Sequence, residues 1–197
     1  MKMDLVICGV GGQGNLLASV AIANYAMDKG LNVIGTETIG AAQRGGSVVS
    51  HLRLSEDTIF SPTVPAGAAD VILGFELVEA LRHLDRLAPE GCYIVNSEAV
   101  PTVLCNMGLD RYPPEGEISE ELRRRSANGY LINASEKARE LGGLIMTNMV
   151  LLGALSGVIP FFDRNDLADV LAGLLPPKVL RINLEALKAG YDLVALL

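Results

Sequence analysis

Tryptophan is absent from this 197-residue sequence, aromatic residues make up only 5 %, and there are just two histidines and three cysteines. Each shortage excludes something. Cys8, Cys92 and Cys105 lie far apart, without the paired spacing of a zinc site, and an odd number with no signal peptide points to a reducing cytoplasm. Three thiolates are also too few for an iron–sulfur cluster, which takes about four. His51 and His83 are remote from one another, and no G-x-S-x-G elbow, H-E-x-x-H helix or paired-Cys signature occurs. Basic residues are outnumbered, leaving a net charge of −7, so neither a nucleic-acid backbone nor an anionic membrane surface is an expected partner.

Apolar residues, by contrast, make up half the chain. That suits a sheet covered on both faces, with further burial against another subunit. Leu144 to Phe162 is almost apolar enough for a membrane span, but Thr147, Asn148, Ser156 and Pro160 interrupt it. It reads as a buried helix from about Met149 to Val158 that carries Gly153-x-x-x-Gly157.

The chain is organised around its beginning. Asp4 to Val10 reads as a buried strand and Asn15 to Lys29 as a helix stopped by Gly30, with Gly9-Val-Gly11-Gly12-Gln13-Gly14 between them. A strand that turns on glycines into a helix leaves free N–H groups at the positive end of the helix dipole, where a phosphate fits. The alternative is a tight connection only, or a contact with a partner chain. Leu31 to Thr36 reads as the next strand, with Glu37 at its end, where a dinucleotide-binding fold places a carboxylate on the ribose. A second glycine-rich loop follows, Ile39-Gly-Ala-Ala-Gln43-Arg44-Gly45-Gly46, carrying one cation suited to a phosphate or carboxylate, or else to a surface ion pair. Ser47 to Leu54 alternates like a strand, and a strand directly after a strand predicts antiparallel pairing in part of the sheet.

Further on, the pattern predicts strands at 69–74, 92–96, 99–105 and 130–134. It predicts helices at 75–87, 118–126, 135–141 (capped by Ser135), 166–174 and 177–197. Glu76, Glu79 and His83 read as solvated helix residues, and His51 as a hydrogen-bonded strand residue beside the second loop. The expected fold is one α/β domain over 1–197: three-layer and Rossmann-like, a mostly parallel sheet with some antiparallel pairing and helices on both faces. With anion cradles but no acid–base or metal equipment, the chain looks like a binding half whose chemistry happens elsewhere. A free-standing nucleotide- or NAD-binding module using Glu37 is the alternative.

Four segments in order, Gly9-Val-Gly-Gly-Gln-Gly14, Ala42-Gln-Arg-Gly-Gly-Ser-Val-Val-Ser-His-Leu-Arg53, Ala69-Asp-Val-Ile-Leu73 and Asn148-Met-Val-Leu-Leu-Gly153, resemble the gamma-type subunits of the 2-oxoacid:ferredoxin oxidoreductases. Within that family the Ala-Gln-Arg-Gly-Gly-Ser-Val run is most similar to the small beta subunits of the indolepyruvate branch. The resemblance implies a non-catalytic subunit, inactive alone, with no cofactor bound by this chain by itself. Thiamine diphosphate and iron–sulfur clusters would sit on a large partner subunit, ferredoxin would be reached indirectly, and coenzyme A would be shared with the partner. The isolated chain could also pair with itself. The coenzyme A contacts implied are Gly9, Gly11, Gly12, Gln13, Gly14, Gln43, Arg44, Gly45 and Gly46. Pyruvate-type relatives carry lysines in the second loop, where this chain has Gln43 and Arg44, so one cation remains.

Overall fold

Alternation along the first strand, β1 (Lys2–Val10), decides the architecture. Leu5 and Ile7 enter one apolar layer and Val6 and Cys8 the opposite one; all four are fully buried, so both faces of the sheet need cover. The computed structural model describes residues 1–40, 45–101 and 103–195 and has this three-layer form. The remaining strands are β2 (Asn32–Ile39), β3 (Ser47–Ser55), β4 (Ala69–Gly74), β5 (Leu87–Asn96) and β6 (Gly129–Ile132). The helices are α1 (Asn15–Asp28), α2 (Leu77–Arg82), α3 (Val103–Asn106), α4 (Glu115–Arg125), α5 (Ala134–Glu140), α6 (Thr147–Val158), α7 (Arg164–Leu174) and α8 (Pro177–Val194).

The sheet order is β2-β3-β1-β4-β5-β6. Strands β1, β4, β5 and β6 pair in parallel, and β3 lies antiparallel to both of its neighbours, β1 and β2. The expected mostly parallel sheet with some antiparallel pairing therefore forms. Helices α1, α5, α6, α7 and α8 cover the Leu5–Ile7 face, and α2 and α4 cover the other. Helix α6 is buried on nearly every side, as its composition requires. No helix among the described residues is long and apolar enough to cross a membrane.

Four expectations fail, each for a local reason. The segment 99–105 is not a strand; α3 occupies its end, and Pro101 lacks the N–H that a sheet ladder would need. The helix after Phe75 stops at Arg82, and after a short turn Leu87 already begins β5, because Leu84 and Leu87 turn into the α2-side layer. Helix α5 begins at Ala134, so Ser135 is not its cap. Its hydroxyl instead accepts from Asn96 Nδ2 at 2.9 Å, while its N–H donates to Asn96 Oδ1 at 3.1 Å. Strand β2 runs to Ile39, which places Glu37 inside the strand rather than at its end.

Candidate functional site

The connections leaving β1 and β4 diverge, one toward β2 and the other toward β5, so the carboxyl ends of these neighbours form the switch point where open α/β sheets hold ligands. The first glycine turn lies there. Gly12 and Gly14 adopt φ of 104° and 86°, a region that a side chain disfavours. A Cβ on Gly14 would also stand 2.5 Å from Asn148 Nδ2 at the start of α6. Helix α1 begins without a side-chain cap, and the N–H groups of Gly12, Gly14, Asn15 and Leu16 have no acceptor among the described residues. They border a cleft of about 450 Å³ walled by Leu16, Val48, Ile39 and Glu37.

Two of the expected contact residues serve the turn itself. Gln13 folds back: its Oε1 accepts from Val10 N–H at 2.7 Å and its Nε2 donates to the Phe75 carbonyl at 3.2 Å. Gly9 lies within β1, where a Cβ would come 2.6 Å from the Phe75 Cβ. Both pack the end of β1 against Phe75, the residue that follows β4.

The root of the second loop docks onto the first turn. Gly11 N–H donates to the Gly46 carbonyl at 2.8 Å, Gly45 N–H donates to the Gly11 carbonyl at 3.3 Å, and Gly40 N–H closes the neck on the Ser47 carbonyl at 2.9 Å. Gly45 takes a φ of 77° to do so. Gln43 and Arg44 lie outside the described residues. The two glycine segments, 35 residues apart from Gly11 to Gly46, thus form one surface, and the Gly11 amide is spent on joining them.

Glu37 is exposed and faces the same cleft. Strand β3 stands between its strand and β1, which moves the carboxylate roughly 10 Å from β1 instead of one strand spacing, unlike a dinucleotide-binding fold. Beneath the loops lies a feature that the sequence pattern misread. Glu76 and Glu79 are buried, not solvated, at 1 % and 4 % exposure. Glu76 Oε2 accepts from the Glu79 N–H at 2.9 Å, and its Oε1 accepts from the Val100 N–H and the Tyr112 hydroxyl. Glu79 Oε2 accepts from the Ser47 hydroxyl at 2.5 Å. The legible signal was their flanks: Phe75, Leu77 and Ala80 are apolar, and all three are buried. Cys8 sits above this pair, where burial first and the two carboxylates second keep it a neutral thiol.

His51 is the strand residue it was read as. Its Nδ1 accepts from the Val64 N–H at 3.3 Å, and burial, then Arg86, lower its pKa from the ordinary value. His83 is half-buried rather than solvated, and burial lowers its pKa as well. A histidine kept neutral in the fold binds its proton more readily when unfolded, near pH ~6.5. Stability therefore rises with pH across the window from the lowered value up to about 6.5, and falls on acidification through it. In urea unfolding at pH 5 and pH 7, wild type is expected to lose more stability on acidification than His51→Asn. Equal losses would contradict the assignment.

The site therefore offers main-chain N–H groups at a helix start and a glycine-rich second loop. Among the described residues no cluster of three His, Cys, Asp or Glu could hold a metal ion.

Residues 4–193 match the model of the pyruvate ferredoxin/flavodoxin oxidoreductase family. The chain is 38 % identical to indolepyruvate oxidoreductase subunit IorB of Archaeoglobus fulgidus, covering 98 % of this chain and 95 % of that one. It is 35 % identical to the subunit of the same name from Methanothermobacter thermautotrophicus, covering 99 % of each. Among solved structures it resembles 2-oxoglutarate:ferredoxin oxidoreductase from Magnetococcus marinus with 2-oxoglutarate, coenzyme A and succinyl-CoA bound, with a TM-score of 0.74 and 25 % identity. That match covers 100 % of this chain but 31 % of the other, where this fold is one part of a longer polypeptide.

Proposed function

This chain belongs to the pyruvate ferredoxin/flavodoxin oxidoreductase family, and from that premise we propose that it is the small, non-catalytic subunit of an indolepyruvate-type enzyme, holding coenzyme A for a larger partner. The assembled enzyme would convert an arylpyruvate, coenzyme A and oxidised ferredoxin to acyl-CoA, carbon dioxide and reduced ferredoxin. Thiamine diphosphate and the iron–sulfur clusters, on the partner, supply decarboxylation and electron transfer when bound. This chain's residues position a phosphorylated substrate and bury surface against the partner.

The observation that carries the reading is the docking of Gly45 and Gly46 onto Gly11, which sets the root of the second loop against the turn whose unpaired amides border the cleft. In the proposal the N–H groups of Gly12, Gly14, Asn15 and Leu16 face one phosphate and gain from the α1 dipole. The Arg44 guanidinium meets the same phosphate or its neighbour with charge-assisted bonds. Holding the nucleotide end of coenzyme A leaves its thiol free to reach toward the partner.

The test is the Michaelis constant for coenzyme A in the assembled enzyme. Arg44→Ala is expected to raise it roughly tenfold, the scale of one charge-assisted contact, while changing kcat less than about twofold. Arg44→Lys should recover part of the loss, since a point charge lacks the forked geometry. An unchanged Michaelis constant in Arg44→Ala would remove the second loop from the site.

A further inference from the structure

We infer that Glu79 is a positioning residue for the second glycine loop, acting through the Ser47 hydroxyl. The inference rests on the reading above, that this loop meets the phosphates of coenzyme A.

A buried carboxylate at position 79 is a cost that the fold need not bear. Glu79 lies on α2 against an apolar layer, where a carboxylate loses most of its hydration and gains little from a solvent-exposed cation. Its one neighbouring cation among the described residues, Arg82 Nε, stands 3.4 Å from Oε1 and is itself exposed. A leucine at 79 would fill the layer without that penalty. What only a hydrogen-bond acceptor can do there is hold Ser47, and the 2.5 Å bond from the Ser47 hydroxyl is the contact that leaves the helix for the loop.

Ser47 is the hinge between the loop and β3. Its carbonyl closes the neck by accepting from Gly40 N–H at 2.9 Å, and the preceding residue, Gly46, is pinned to Gly11. Backbone bonds alone leave a glycine pair free to rotate about its own axis, since glycine has wide conformational freedom. The Ser47 side chain, held from the opposite face of the sheet, removes that freedom. Glu79 is in turn fixed from below, because its N–H is bonded to Glu76 Oε2 at 2.9 Å and Glu76 is tied to Tyr112 and Val100. A chain of polar contacts thus runs from the buried α2 start to the root of the loop.

The consequence is specific. Loosening the root blurs the position of the loop's donors and weakens the grip on the nucleotide end of coenzyme A. The reacting thiol end lies on the partner's side and is untouched once bound. Affinity for coenzyme A falls, and turnover at saturation does not.

The experiment uses the assembled enzyme, this chain with its large partner, and compares Glu79→Ala, Ser47→Ala, their double variant, Glu79→Gln and Arg44→Ala. Glu79→Ala and Ser47→Ala are each expected to raise the Michaelis constant for coenzyme A about fivefold to tenfold with kcat within about twofold. The double variant should be no worse than either single one, because both remove the same bond. Glu79→Gln, which keeps an acceptor for Ser47, should stay near wild type. Ser47→Ala removes only the hydroxyl of an exposed residue and so reads the bond even if Glu79→Ala fails to fold. Unchanged Michaelis constants in Glu79→Ala and Ser47→Ala beside a raised one in Arg44→Ala would overturn this inference and leave the functional reading standing. Unchanged values in all three would overturn both. Additive losses in the double variant would also refute it.

Discussion

A Gly153→Ala variant is expected to lose about 3–5 kcal/mol of folding stability and to melt roughly 10 °C lower than wild type. Helices α6 and α8 approach so closely that each rests a carbonyl on a glycine of the other. A Cβ on Gly153 would overlap the Leu187 carbonyl and come within 3.0 Å of the Tyr191 nitrogen, and one on Gly190 would overlap the Val150 carbonyl. The obstructing atoms are main chain, so no rotamer change makes room, and the helices must move apart through the buried layer that carries α1 and β1. Alanine's better helix propensity returns only about 1 kcal/mol. Gly173→Ala is the control: it lies on α7 with nothing within 4 Å of the added methyl, and it should stabilise by up to about 1 kcal/mol. Thermal unfolding of the three proteins side by side checks this. A Gly153→Ala melting temperature within 2 °C of wild type, as an order-of-magnitude threshold, would contradict the close approach.

The same helix shows what a sequence makes legible. An almost unbroken apolar run of helix length, cut by Asn148 and Pro160, reads as a buried helix rather than a membrane span, and α6 is buried. Strand β1 announced itself by its apolar run, and the antiparallel β3 by following β2 without room for a crossover. The position of β3 between β1 and β2 was not legible, because it depends on pairings such as Ile7 with Ser50, set by contacts far apart in the chain. That insertion is what separates Glu37 from β1 and weighs against a dinucleotide site.

The site divides in the same way. The spacing of Gly9, Gly11, Gly12 and Gly14 after an apolar strand marks the turn. Nothing in the spacing says that Gln13 folds inward, or that Gly11 bonds to Gly46, since glycines carry no side chain whose pattern could report a partner. Glu76 and Glu79 looked solvated because two acids three apart on a helix usually are. Ser47, Val100 and Tyr112 reach them from elsewhere in the chain.

The second large effect concerns activity. If this chain holds the nucleotide end of coenzyme A, its partner alone has lost the anchor that turns an encounter with a dilute thiol into a positioned one. Losing remote binding of that kind costs orders of magnitude, because orientation and effective concentration go with it. Omission of the chain is therefore expected to lower coenzyme A-dependent ferredoxin reduction about 100-fold or more. The chain alone, offering main-chain donors and no residue cluster that could hold a metal ion among those described, should show none. The decisive measurement mixes the large thiamine- and cluster-bearing partner with indolepyruvate, coenzyme A and ferredoxin, and follows ferredoxin reduction as this chain is titrated in. The account predicts a rate that climbs with added chain and saturates at a fixed ratio to the partner. A rate that is the same with and without it would contradict the claim that this subunit presents coenzyme A.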